Sequence, residues 1–116
     1  MERYAWIEEL NRDPNVLPSP LPDGAWEEIR AAFDVGDKVK ARVAGRAPFG
    51  LWMDIGVGTP ALMRIVDTNY SGFDYGLYER GEWAPLGTEV EVVIIELQDS
   101  PSQIHVKGVA GSWVAV

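Results

Sequence analysis

The stretch that decides the fold runs from Val35 to Ile55 and reads VGDKVKARVAGRAPFGLWMDI. In its first half Val39, Ala41 and Val43 alternate with Lys38, Lys40 and Arg42. In its second half Leu51, Met53 and Ile55 alternate with Trp52 and Asp54. Successive side chains of extended backbone leave opposite faces, so a period of two marks a strand with one face in a core and the other turned away. Two half-buried strands are therefore expected here.

Working downstream, Gly56 to Pro60 supplies turn residues, and a short third strand is expected near Ala61 to Val66. Asp67 to Pro85 reads as a long irregular connection carrying Tyr70, Phe73, Tyr75, Tyr78 and Trp83. Gly87 opens a fourth strand through Val90, Val92, Val93, Ile94 and Ile95. Asp99, Ser100 and Pro101 then turn the chain into a fifth, marked by Ile104 and Val106. Five short antiparallel strands with one long connection before the fourth suit a small closed barrel of the OB type over residues 35 to 110. Its expected core is Val39, Val43, Leu51, Met53, Ile55, Val92, Ile94, Ile104 and Val106.

Working upstream, the period changes to that of a helix. Tyr4, Ile7 and Leu10 share a helical stripe within residues 2 to 12, which ends before Pro14. Pro14, Pro18, Pro20 and Pro22 impose extended backbone, and a second helical pattern follows with Trp26, Ile29 and Phe33 on one side. Asp23 stands where a carboxylate accepts from the first free amides of that helix. An isolated helix of this length is marginal in water, so Trp26, Ile29 and Phe33 are expected to dock on the barrel. The chain thus divides into a helical and proline-rich extension, residues 1 to 34, and a barrel domain, residues 35 to 116.

Bulk composition narrows the function classes. At 116 residues the chain suits one domain with attached segments. It has no cysteine and one histidine, His105, which removes thiolate chemistry and the usual zinc ligand sets. His105 alternates with Ile104 and Val106 and reads as a solvent-face strand residue. No paired carboxylate motif, phosphate-binding glycine loop or partnered nucleophile is present, so neither catalysis nor a cofactor is expected. The longest aliphatic run, Val92 to Ile95, lies between Glu91 and Glu96, far short of the roughly 20 apolar residues of a membrane helix. Glu2, Arg3, Glu8 and Glu9 interrupt any signal-peptide core, which makes the cytoplasm the expected compartment.

Charge is uneven. The net charge is −8, and residues 1 to 34 hold eight acids against three bases. Four of the seven bases after residue 34, Lys38, Lys40, Arg42 and Arg46, fall within nine residues. A basic strip thus lies on an acidic protein.

Residues 35 to 106 resemble the S1 RNA-binding domain, an OB-fold module. Gly36-Asp37-Lys38-Val39 is similar to that family's glycine-led start of its first strand, and Phe49-Gly50-Leu51-Trp52-Met53-Asp54 to its aromatic-Gly-x-aromatic-Val segment. Ala61-Leu62-Met63-Arg64-Ile65 resembles the family's third strand, Gly87-Thr88-Glu89-Val90 with Val92 to Leu97 its fourth, and Gln103-Ile104-His105-Val106 its fifth. The resemblance implies contact with single-stranded RNA at Phe49, Trp52 and Arg64, Arg64 standing at the family's histidine position.

Each of these residues also has a plainer use. Alternation sets Trp52 opposite Leu51 and Met53, so it either offers a base platform or is covered by the N-terminal helices. Phe49 shares the parity of the buried pair, unless a bulge at Gly50 turns it outward. Lys38, Lys40 and Arg42 either track phosphates or protect a strand and keep it solvated. Arg64 either meets a base or phosphate, or pairs with an acid such as Asp54.

Two functions follow. In one the chain binds single-stranded RNA weakly through Phe49, Trp52, Arg64, Lys38, Lys40 and Arg42. In the other it is an acidic protein-interaction module in which Glu8, Glu9, Glu27 and Glu28, with the Tyr70 to Trp83 aromatics, hold a basic protein partner.

Overall fold

The alternating stretches form strands in the computed structural model of the chain, which describes residues 23–68, 76, 79–80, 84–99 and 102–114. A helix, α1 (Ala25–Ala32), precedes β1 (Lys38–Ala47), β2 (Gly50–Asp54) and β3 (Ala61–Arg64). A 3-10 turn, Ile65–Asp67, follows β3, and β4 (Glu89–Asp99) and β5 (Ser102–Gly108) complete a closed barrel in the order β1-β2-β3-β5-β4.

Four of the five seams are antiparallel, and β3 pairs with β5 in parallel through Ala61–Ile104 and Leu62–His105. This corrects the expectation of an all-antiparallel barrel, for a geometric reason. Directions cannot alternate all the way round a ring with an odd number of strands, so one seam of a five-stranded barrel must be parallel.

The interior holds the residues that alternation assigned to it. Val43, Leu51, Met53, Val92, Ile94, Ile104 and Val106 are buried, and Val39 and Ile55 pack partly buried against them. Met63, Val90, Ala41 and Ala61 complete the cluster. β1 serves two neighbours, pairing Lys38–Arg42 with β4 and Arg42–Ala47 with β2. A bulge lies between Val43 and Gly45, and another on β4 between Ile94 and Glu96. Such insertions bend a strand, which a small closed barrel requires. Two glycines permit close approach of backbones. A Cβ at Gly50 would run into the carbonyl oxygen of Met63, and one at Gly108 into that of Thr68.

α1 docks on this core as expected. Trp26 and Ile29 are 8% and 7% exposed and belong to the barrel cluster, with Phe33 packed beside them. The Trp26 indole Nε1 donates to Asp99 Oδ1 at 2.9 Å, and the Arg30 guanidinium pairs with the same carboxylate. The Arg30 bond, with that of Trp26, holds the Asp99 carboxyl below its ordinary range. Asp23 is not the cap. Gly24 takes the N-cap position at φ 84°, where its carbonyl accepts from the Glu28 amide at 3.2 Å and, having no side chain, it makes no side-chain cap. The helix expected within residues 2 to 12 lies outside the described residues, as do Tyr70, Phe73, Tyr75, Tyr78 and Trp83, the aromatics of the expected connection. Among the described residues, no helix is long and apolar enough to cross a membrane.

Candidate nucleic-acid interface

Three residues of the expected site meet at one corner of the barrel. Phe49 occupies the turn between β1 and β2, and Gly50, the residue after it, is the register partner of Arg64 at the end of β3. The Phe49 and Trp52 rings are edge to face, with centroids 5.8 Å apart and planes at 86°, the arrangement that sets the positive rim of one ring against the negative face of the other. Phe49 is 44% exposed. The turn carries it outward ahead of the strand, so the parity of Leu51 and Met53 does not govern it.

Trp52 departs from its use as a base platform. It lies on the outer face of β2, as alternation requires, yet it is 0% exposed and packs with Ala44 and Leu62 in a cluster separate from the barrel interior. Stacking needs an accessible ring face, so in this structure Trp52 is a prop for Phe49 rather than a platform. Its place in the register explains the packing. Gly45 on β1, Trp52 on β2, Leu62 on β3, His105 on β5 and Glu96 on β4 are successive cross-strand partners. His105 also faces outward, but it is half-buried, and its Nε2 is enclosed with no hydrogen bond among the described residues. That corrects the expectation of a simple solvent-face histidine: alternation tells which face a side chain takes and not how far its neighbours cover it.

Arg64 remains 58% exposed and pairs through Nε with Asp67 Oδ2 at 2.8 Å, three residues ahead in the 3-10 turn. Asp54, the acid expected to hold it, instead accepts from the Gly56 amide at 2.8 Å. The exposed Val66 lies in the same turn, so this corner combines an apolar rim with a guanidinium.

Lys38, Lys40 and Arg42 are not at this corner. They are exposed on the half of β1 that pairs with β4, whereas Gly45, beside Trp52, belongs to the half that pairs with β2. Five to seven residues of extended backbone separate Lys40 and Lys38 from Gly45, about 17 to 23 Å. Arg42 is bound to Glu89 at 3.1 Å, and Lys40 faces Glu91. Arg46 donates from Nε to the Ala84 carbonyl at 3.0 Å and steadies a non-glycine residue held at φ 51°. Glu27 and Glu28 project from the exposed side of α1. Among the described residues, no group of three or more His, Cys, Asp or Glu side chains could hold a metal ion.

No protein-family model matches the chain, and no curated protein matches it either.

Proposed function

We propose that the chain is an S1-like OB-fold domain that binds single-stranded RNA weakly, with Phe49 as its stacking ring and Arg64 as the adjoining cation. One observation carries this reading: Arg64, twelve residues beyond Trp52, is brought by the β2–β3 pairing beside the neighbouring Phe49 and Trp52, all three named by the resemblance. The strand order, with its parallel β3–β5 seam, supports the OB assignment. The chemistry is modest. One exposed ring stacks one base, worth about 1 to 3 kcal/mol, and a guanidinium beside it can cover a second base or bond a phosphate. To do so Arg64, itself 58% exposed, must loosen its pair with the largely covered Asp67 carboxylate.

The test is fluorescence anisotropy of a labelled oligouridylate with the wild-type chain, Phe49→Ala and Arg64→Gln. Both variants should weaken binding while leaving the circular dichroism unchanged. Undiminished affinity in the double variant would defeat the assignment.

The protein-interaction reading is favoured by a different observation, the complete burial of Trp52 together with the pairing of Arg42 and Arg64 by acids. On that reading the acidic face of α1, with Glu27 and Glu28, steers a basic protein toward the apolar rim of Phe49 and Val66. Absence of RNA binding at low salt, with capture of a basic protein sensitive to Glu27→Lys and Glu28→Lys, would select it.

A further inference from the structure

The chain has three lysines, Lys38, Lys40 and Lys107, and all three are exposed on adjacent strands, β1 and β5 on either side of β4. Lys38 is the register partner of Val93, and Val93 is the register partner of Lys107, so these residues form one cross-strand row. At the usual strand spacing Lys38 and Lys107 have Cα atoms about 10 Å apart, and Lys40 stands about 7 Å along β1 from Lys38 on the same face.

The row continues to the Phe49 corner. Ala61 is level with Ile104 and Leu62 with His105 across the parallel seam. The same stagger carried two residues onward sets Arg64, whose backbone is still extended, level with Lys107. The approach of the Thr68 carbonyl to Gly108 keeps the chain after Arg64 against β5. Arg64 is in turn the partner of Gly50, which follows Phe49. A single level of the barrel therefore carries Gly50, Arg64, Lys107, Val93 and Lys38 across all five strands.

The cations differ in availability. Arg30, Arg42 and Arg64 are bound to carboxylates and Arg46 to a carbonyl, whereas no lysine side chain has a hydrogen bond or ion pair among the described residues. The carboxylates on the outer face of β4 beside this row are Glu89, bound to Arg42, Glu91, opposite Lys40, and Glu96, opposite His105; none of the three forms an ion pair with a lysine. The lysine charges are thus free for an anion from outside, while the arginines must first give up a partner.

We propose that this row is a phosphate track: a strand whose base stacks on Phe49 runs crosswise over Arg64 and Lys107, past Val93, to Lys38 and Lys40. The proposal rests on the RNA reading above and adds to it the path of the backbone and a role for Lys107. Val93 has no ring for a base, so this part of the path reads phosphate alone and is indifferent to sequence. Continuity with Phe49 and Arg64 at one level favours a polynucleotide over an acidic protein as the occupant.

The experiment measures the affinity of labelled oligouridylate across a series of salt concentrations for the wild-type chain, Lys38→Gln/Lys40→Gln/Lys107→Gln, Arg42→Gln and Phe49→Ala. For a single strand the slope of log K against log salt is about −0.7 per neutralised phosphate. The triple variant should flatten it by about 2, from the loss of three contacts. Arg42→Gln should leave it unchanged, and Phe49→Ala should lower affinity at every salt without altering the slope. A triple variant with the wild-type slope, beside a Phe49→Ala that loses affinity, overturns the track and leaves the RNA reading standing. No binding by the wild-type chain at low salt overturns both. Binding of polyglutamate that depends on the lysines, with RNA binding that does not, also overturns it and assigns the row to an acidic protein.

Discussion

Replacing Trp52 with alanine separates a buried prop from an exposed platform. The indole is 0% exposed, and an aromatic side chain of this kind buries about 150 to 250 Å², which at about 25 cal/mol per Å² gives an upper bound of about 4 to 6 kcal/mol. Truncations of buried aromatics to alanine cost about 3 to 5 kcal/mol, and the lower end applies here because Trp52 packs in a small cluster with Ala44 and Leu62, which can partly collapse. A loss of about 3 kcal/mol is therefore expected, a large part of the 5 to 15 kcal/mol that holds an ordinary domain together. The assay is urea unfolding followed by far-ultraviolet circular dichroism, with the melting temperature as a second readout. At about 4 °C per kcal/mol, the melting temperature should fall by about 12 °C or more. Trp52→Phe should recover much of the loss by refilling the space. A Trp52→Ala chain as stable as wild type but deficient in RNA binding would refute this reasoning and return Trp52 to the role of an open platform.

Other outcomes follow from the same contacts. Asp99 accepts from both Trp26 and Arg30, and its carboxyl is held below the unfolded value, so its contribution is present above the ordinary carboxylate range and disappears as pH falls through the folded value. Asp99→Asn should therefore lower the melting temperature at pH 7 and flatten its decline on acidification; an unchanged acid limb would show that the carboxylate does not hold α1. Ile29→Ala should cost about 2 kcal/mol in urea unfolding, near the bottom of the range for a buried isoleucine because the site lies where α1 meets the barrel. Gly50→Ala sets a methyl against the Met63 carbonyl and should cost about 1 to 3 kcal/mol while displacing Phe49; a neutral result would mean that the β2–β3 seam can open without penalty.

Much of the barrel was legible because its strands are half-buried, and alternation from Lys38 to Val43 and from Leu51 to Ile55 records which side each residue takes. That a closed five-stranded barrel has a parallel seam follows from its odd strand number, but which strands form it was not legible, since β3 and β5 lie far apart in sequence and no local feature of Ala61–Arg64 names a partner. The corner of Phe49, Trp52 and Arg64 was reachable through resemblance, and alternation gave the outward direction of Trp52, but it did not decide between an open platform and a covered ring. The Arg64 partner was not legible either, because a strand continuing to Val66 would set Arg64 and Asp67 on opposite faces, and it is the 3-10 turn that brings the charges together. Lys107 gained meaning only when ring closure set it beside Val93 and, through Val93, in line with Lys38.

Photochemical crosslinking tests the proposed RNA corner most directly. Trypsin cuts after Arg46 and Arg64 and at no basic residue between them, so Phe49 and Trp52 leave in a single peptide, residues 47–64. Irradiating the intact chain with an oligonucleotide containing 4-thiouridine, then digesting and mapping the adducts by mass spectrometry, should place the principal crosslink on that peptide at Phe49. The adduct should be lost in Phe49→Ala and diminish as salt is raised. Crosslinks that fall only on other peptides, or an adduct at Phe49 that salt and unlabelled RNA leave untouched, would contradict RNA recognition at this corner.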